Sequence, residues 1–92
     1  MDLKIDHDTK NQKFFAFIDG REAYLQYIII NTNTMNMIKT YVPYELRGQG
    51  IAGKIAEEAL KYAKHNFYNV IPSCSYVDVY MERHKGYNKM RV

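Results

Sequence analysis

Residues 47–54 read Arg47-Gly48-Gln49-Gly50-Ile51-Ala52-Gly53-Lys54 (RGQGIAGK), and the fold depends on which of three patterns these eight letters belong to. Gly48, Gly50 and Gly53 spell G-x-G-x-x-G, the dinucleotide fingerprint. Gly48 through Lys54 spell G-x-x-x-x-G-K, most of a Walker A loop. Arg47 through Ala52 spell [Q/R]-x-x-G-x-[G/A]. All three put glycines ahead of a helix, where backbone N–H groups lack intrahelical acceptors and bind anions. The three differ in what must surround them.

Downstream the letters are helical. With Ile51 at the origin and about 100° per residue, Ile51, Ala52, Ile55, Ala56, Ala59, Leu60, Tyr62, Ala63 and Phe67 fall within one half of the wheel. Gly53, Lys54, Glu57, Glu58, Lys61, Lys64 and His65 fill the other half, and only Asn66 breaks the partition. The spacing predicts a helix over 50–66 with an apolar face laid on a sheet. Glu57 and Lys61 supply a favourable i,i+4 pair. A helix start at Gly50 is expected to tolerate valine. After the helix, Asn69 to Ser73 (NVIPS) suits a short buried strand, parallel to the strand before the helix. Ser75 to His84 reads as a second helix, opened by a capping-box-like Ser75-x-x-Asp78 and ended by Gly86.

Upstream lies an antiparallel meander. Gln12 to Ile18 is aromatic and β-branched. Asp19-Gly20 is a two-residue hairpin turn. Arg21 to Ile30 and Met35 to Val42 follow as strands around a turn at Asn31 to Thr34, and Leu3 to Asp8 pairs at the edge. The order ββββ-α-β-α is an α+β sheet with helices.

That context separates the three patterns. The dinucleotide fingerprint needs a strand directly before it inside a βαβ unit. Here Pro43 and Tyr44-Glu45-Leu46-Arg47 intervene, and a meander precedes them. The Walker loop needs Ser or Thr after its lysine to hold magnesium, and Ile55 stands there. The third pattern needs a strand, a short irregular connection and glycines opening a helix, and it has all three. Gly48 and Gly50 let a phosphate approach the backbone without a Cβ in the way. Ala52 and Gly53 keep the first turn small, and Arg47 braces the loop or adds charge. The plain alternative is a glycine-rich turn that only caps an ordinary helix.

The bulk numbers agree with a small globular domain. The chain has 92 residues, 47% hydrophobic, 14% aromatic and 25% charged. No apolar run is long enough to span a membrane. One cysteine excludes an internal disulfide, and with no signal-like N-terminus the expected setting is the reducing cytoplasm. Net charge is +3 with a pI near 9.0, a weak preference for anionic partners. Basic residues are scattered, densest at Arg83, His84 and Lys85, and no nucleic-acid-binding motif appears.

Val42-Pro43-Tyr44-Glu45-Leu46-Arg47-Gly48-Gln49-Gly50-Ile51-Ala52 resembles motif A of the GNAT N-acetyltransferases. Cys74-Ser75-Tyr76, with Tyr80, Arg83, His84 and Tyr87 after it, narrows the resemblance to the short YjdJ-like subgroup. It covers most of residues 14–87. The resemblance implies one GNAT-like domain over residues 1–92, without the usual C-terminal strands. It also implies acetyl-CoA (coenzyme A) as the cofactor, with no metal. The pyrophosphate would lie on Arg47, Gly48, Gln49, Gly50, Ile51, Ala52, Gly53 and Lys54. The pantetheine would lie beside a splayed strand at Thr40, Tyr41 and Val42. Where subgroup members often carry a glutamate, this chain has Tyr41, which leaves the general base unassigned.

Acetyl transfer to an amine needs a neutral nucleophile, a polarised thioester carbonyl and a proton for the departing thiolate. By analogy with the family, a backbone N–H near Val42 polarises the carbonyl. Tyr76 and Tyr80, four apart on one helix face, are candidate proton sources, or else core packing. His84 follows four later, near a helix end. Cys74 precedes the Ser75 cap, and thiolates are stabilised at helix N-termini. It is therefore a candidate nucleophile, or else a small buried hydrophobe. His7 and His65 show no ligand spacing, so no metal site is expected. The expected activity is acetyl transfer to an unknown amine acceptor, a small molecule or a protein. A second subunit of a homo-oligomer has room to contribute to the acceptor pocket. A non-catalytic CoA-binding or regulatory domain is the alternative, and a nucleic-acid-associated protein a third.

Overall fold

Aromatic and β-branched letters form strands in the order the meander requires. The computed structural model describes residues 3–92. Strands β1 (Asp6–Asp8), β2 (Lys13–Ile18), β3 (Arg21–Asn31) and β4 (Thr34–Tyr41) are successive antiparallel neighbours. Strand β5 (Asn69–Ile71) lies parallel to β4 and completes a sheet of order β1-β2-β3-β4-β5. The β2–β3 turn is Asp19-Gly20, with φ of 53° and 76°. Two successive positive φ values twist the turn in the sense the strands need.

Alternation decides which face is dry. Phe14 and Ala16 of β2, Ala23, Leu25 and Tyr27 of β3, and Met35 and Met37 of β4 are all buried on one side. Helix α1 (Ile51–His65) covers them with Ile51, Ile55, Ala56, Ala59, Leu60 and Ala63. The alanines let the helix axis approach the sheet. Two readings of this helix need correction. It stops at His65, where Asn66 turns back to donate its Nδ2 to the Tyr62 carbonyl at 2.8 Å. Phe67, placed on the apolar face by the wheel, lies beyond that stop with φ 59° and is 88% exposed. Asn66 broke the partition because the helix ends there. Lys61 pairs with Glu58 at 3.9 Å rather than with Glu57.

The sheet forks at one end. The parallel ladder runs from Thr34↔Asn69 to Asn36↔Ile71. Pro72 follows, with no N–H to extend a ladder. The Cys74 N–H still reaches the Met37 carbonyl at 2.9 Å, and there the two chains part. On its other side β4 carries a bulge. Gln26 faces Lys39 and Tyr27 faces Met37, so Ile38 is the extra residue. A bulge bends its strand, and β4 runs on to Tyr41 paired with β3 alone.

The C-terminal third differs in detail from its sequence reading. Helix α2 (Ser75–Arg83) begins with Ser75 already inside it. Its N-cap is Cys74, and no side chain caps it. Asp78, read as half of a capping box, instead holds the Arg91 guanidinium. Gly86 does not end α2, because His84 does and Gly86 sits within a one-turn helix, α3 (Lys85–Asn88). The chain then brackets the outer edge of β5. The Val70 N–H reaches the Met90 carbonyl at 2.8 Å, and the Val92 N–H reaches the Val70 carbonyl at 3.0 Å.

His7 is locked among rings at the β1 edge. It stacks on Phe14 at 3.9 Å, meets Tyr62 edge-on at 4.5 Å, and its Nε2 lies 2.6 Å from the Tyr27 hydroxyl. Burial lowers its pKa from the ordinary 6.5, against a smaller opposing pull from Asp8. The folded state therefore binds fewer protons at His7 than the unfolded chain does. Stability is full above about pH 6.5 and falls as the pH drops through the folded pKa. Urea midpoints taken at about pH 7.5 and about pH 5.5 should fall toward acid, and His7→Gln should flatten that slope.

Candidate functional site

The loop between β4 and α1 is built to expose its backbone. Pro43 opens a single 3₁₀ turn over Tyr44–Leu46, closed by the Leu46 N–H to the Pro43 carbonyl at 2.9 Å. Leu46 is buried and anchors the turn. The Arg47 Nε donates back to the Val42 carbonyl at 2.9 Å, so this arginine braces the loop. Gly48 and Gly50 then take φ of 82° and 77°. Both are left-handed, and a Cβ there is strained even in open space. Gly50 is thus the cap outside α1 and not its first residue, and its expected tolerance of valine is overturned. The first intrahelical bond runs from the Lys54 N–H to the Gly50 carbonyl at 3.2 Å. Among the described residues no side chain caps the earlier N–H groups. This is the arrangement that binds anions at a helix start.

The fork and the loop enclose one cleft of about 350 Å³. Thr40 and Tyr41 of β4, with Val42 just after it, form one wall. Arg47, Gly48, Gly50, Ile51 and Ala52 form the loop and helix side, over Leu46. Tyr76 of α2 closes it. Among the described residues Arg47 is the one charged residue of that lining. Gln49, Gly53 and Lys54 do not line the cleft; Gly53 and Lys54 face the neighbouring groove beside Glu57 and Tyr80. Gly53 is small for a reason that its sequence context does not reveal. A Cβ there would come within 3.2 Å of the Tyr76 hydroxyl.

The three catalytic candidates lie in different surroundings. Tyr76 is in the cleft, and burial raises its pKa against a partial opposing pull from Arg83. Cys74 is half-buried and outside the cleft lining, and its thiol donates to the Thr40 hydroxyl at 3.4 Å. Tyr80 is outside the cleft lining. Its hydroxyl donates to Glu57 Oε2 at 2.8 Å, and Tyr87 donates to Glu57 Oε1 at 3.0 Å. Burial first, then these bonds, push the Tyr80 pKa up and hold Tyr87 at about 12. Through Glu57 these two bonds tie α2 and α3 to α1. Glu57 was legible only as a solvent-side helix residue, since partners 23 and 30 positions away leave no local signal. Among the described residues no cluster of His, Cys, Asp and Glu could hold a metal ion, and no helix is long and apolar enough to cross a membrane.

A splayed strand leading through a glycine loop to a helix start is the arrangement that the resemblance of Val42 through Ala52 implies. The family model described as GCN5-related N-acetyl-transferase matches residues 13–90. The chain belongs to that family. Among curated relatives, Protein NATD1 of Xenopus tropicalis is 27% identical over 82 residues, spanning 87% of this chain and 75% of that protein. Protein NATD1 of Homo sapiens is 26% identical over 82 residues, spanning 87% of this chain and 73% of its own length. A GCN5-like protein from Staphylococcus aureus, solved in solution by NMR, superposes with a TM-score of 0.76 at 27% identity. That match covers 98% of this chain and 88% of the other. The GNAT assignment and its α+β fold therefore stand as expected from the glycine loop and the letters around it.

Proposed function

We propose that this GNAT protein transfers an acetyl group from acetyl-CoA to an amine acceptor. The observation that carries the reading is the cleft itself. It joins a stretch of β4, open on its β5-side edge, to the N-terminus of α1 through Gly48 and Gly50. A pyrophosphate at residues 47–52 would meet backbone donors and the Arg47 charge without a metal. A pantetheine arm carries amides, and the open edge of β4 at Thr40–Val42 offers backbone groups to pair with them. The acetyl group would then lie toward Thr40 and Cys74. The acceptor must arrive uncharged, because a protonated amine has no lone pair to attack with.

A second reading has an observation of its own. Among the described residues no carboxylate or imidazole lines the cleft, and Tyr41 stands where a base could have been. A CoA-binding domain without catalysis would look the same. Calorimetric titration with acetyl-CoA, CoA, NAD and ATP, each with and without magnesium, tests the shared premise. The CoA species should bind without metal, and NAD should not. ATP binding that needs magnesium, with no CoA binding, would overturn both readings. Amine-dependent release of free CoA thiol, measured on the same samples, separates enzyme from binder.

A further inference from the structure

We propose that the exposed face of α2, built from Tyr76, Tyr80, Arg83 and His84, seats the adenosine 3′-phosphate end of coenzyme A. This rests on the cofactor reading above and assigns a part of the ligand that the cleft leaves over. The three rings are four residues apart, so they rise along one side of the helix. Tyr76 and Tyr80 are offset with centroids 6.4 Å apart and planes at 28°. Tyr80 and His84 stack at 3.9 Å and 13°. With Arg83 they border a hollow of about 230 Å³.

The ladder starts at the phosphate loop. Tyr76 lines both this hollow and the cofactor cleft. Its hydroxyl lies over Gly53, where a Cβ would come within 3.2 Å. A ligand whose pyrophosphate lies at the start of α1 therefore leaves the cleft along Tyr76. Next it meets flat aromatic surface and then a guanidinium. A purine ring stacks on such a surface. A phosphate monoester suits an arginine fork.

The charges around Arg83 leave it available. Asp78 is held by Arg91, and Glu57 accepts from Tyr80 and Tyr87. Arg83 makes no ion pair among the described residues. The His84 Nδ1 is taken up by the Tyr80 carbonyl at 2.7 Å, which fixes the ring as a stacking surface. Arg83, His84 and Lys85 are also the densest basic group in the sequence, and the cleft makes no use of them.

Dephospho-CoA differs from coenzyme A only by the 3′-phosphate, so the ratio of the two affinities reads this contact alone. By calorimetry the wild-type protein should bind CoA at least tenfold more tightly than dephospho-CoA. Arg83→Gln should bring CoA down to the dephospho-CoA level and leave dephospho-CoA unchanged. Arg83 is on the surface, and a circular dichroism spectrum matching wild type checks that the variant is folded. Lys64→Gln, at the far end of α1, should leave the ratio as it is. Equal affinities in the wild type, or an Arg83→Gln loss shared by both ligands, would overturn the assignment. So would a Lys64→Gln effect as large as that of Arg83→Gln, since net charge would then explain it. If neither ligand binds the wild type, the cofactor reading itself falls and takes this seat with it.

Discussion

Gly50→Val should weaken coenzyme A binding at least tenfold, about 1.4 kcal/mol, and should also lower the folding stability. The second effect follows from the backbone. Gly50 has φ 77°, and a residue with a Cβ pays about 1–2 kcal/mol to stay left-handed. Valine, branched at Cβ, is among the worst choices there. The cost is not a clash, because nothing lies within 4 Å of where the Cβ would be. That empty space is where a pyrophosphate would sit, so a single substitution mixes two causes. Gly50→Asn separates them, since asparagine visits the left-handed region with little penalty. Its melting temperature should stay near wild type while its CoA affinity remains at least tenfold down. An asparagine variant that binds CoA normally would mean that Gly50 only sets the turn, and that residues 47–53 do not touch the phosphates.

That experiment also marks where reading the letters succeeded and where it stopped. The hairpin at Asp19-Gly20 and the apolar face of α1 were legible because turn chemistry and helical spacing are local. The glycine loop was legible as the opening of a helix, yet its conformation was not. Nothing in G-Q-G says that both glycines turn left-handed. The end of α1 was missed because Phe67 has the right angle on a wheel that has already stopped turning. Asp78 was assigned to a local cap because Arg91, its partner, is 13 residues away. Glu57 was assigned to solvent for the same reason. Such pairings exist only once α2 and α3 have packed. The cleft inherits the limit: its wall at Thr40–Val42 comes from a bulge at Ile38 and a proline at 72, which meet only through the sheet.

Incubation with acetyl-CoA should add one acetyl group to the protein at Cys74 if transfer runs through the enzyme. The thiol lies 3.4 Å from the hydroxyl of Thr40, and Thr40 lines the cleft. In that step Sγ attacks the thioester carbonyl carbon. A carbon–sulfur bond to Cys74 forms, the one to coenzyme A breaks, and the proton from Sγ ends on the departing CoA sulfur. The acceptor amine then attacks the acetyl-cysteine, and the thiol is restored. Cys74→Ala should abolish the adduct, read by intact-protein mass, and leave CoA binding nearly unchanged, since the glycine loop at 47–53 is a separate element. Cys74→Ser is the sharper variant because of where Cys74 sits. A buried hydrophobe would lose stability on gaining a hydroxyl. At the N-cap of α2, where no side chain now caps, serine should instead hold or raise the melting temperature, a cap being worth about 0.5–2 kcal/mol. A serine variant that is as stable as wild type, binds CoA and forms no adduct supports the covalent route. Full amine acetylation by Cys74→Ala would rule that route out. Transfer would then be direct, with Cys74 reduced to the residue that starts a helix.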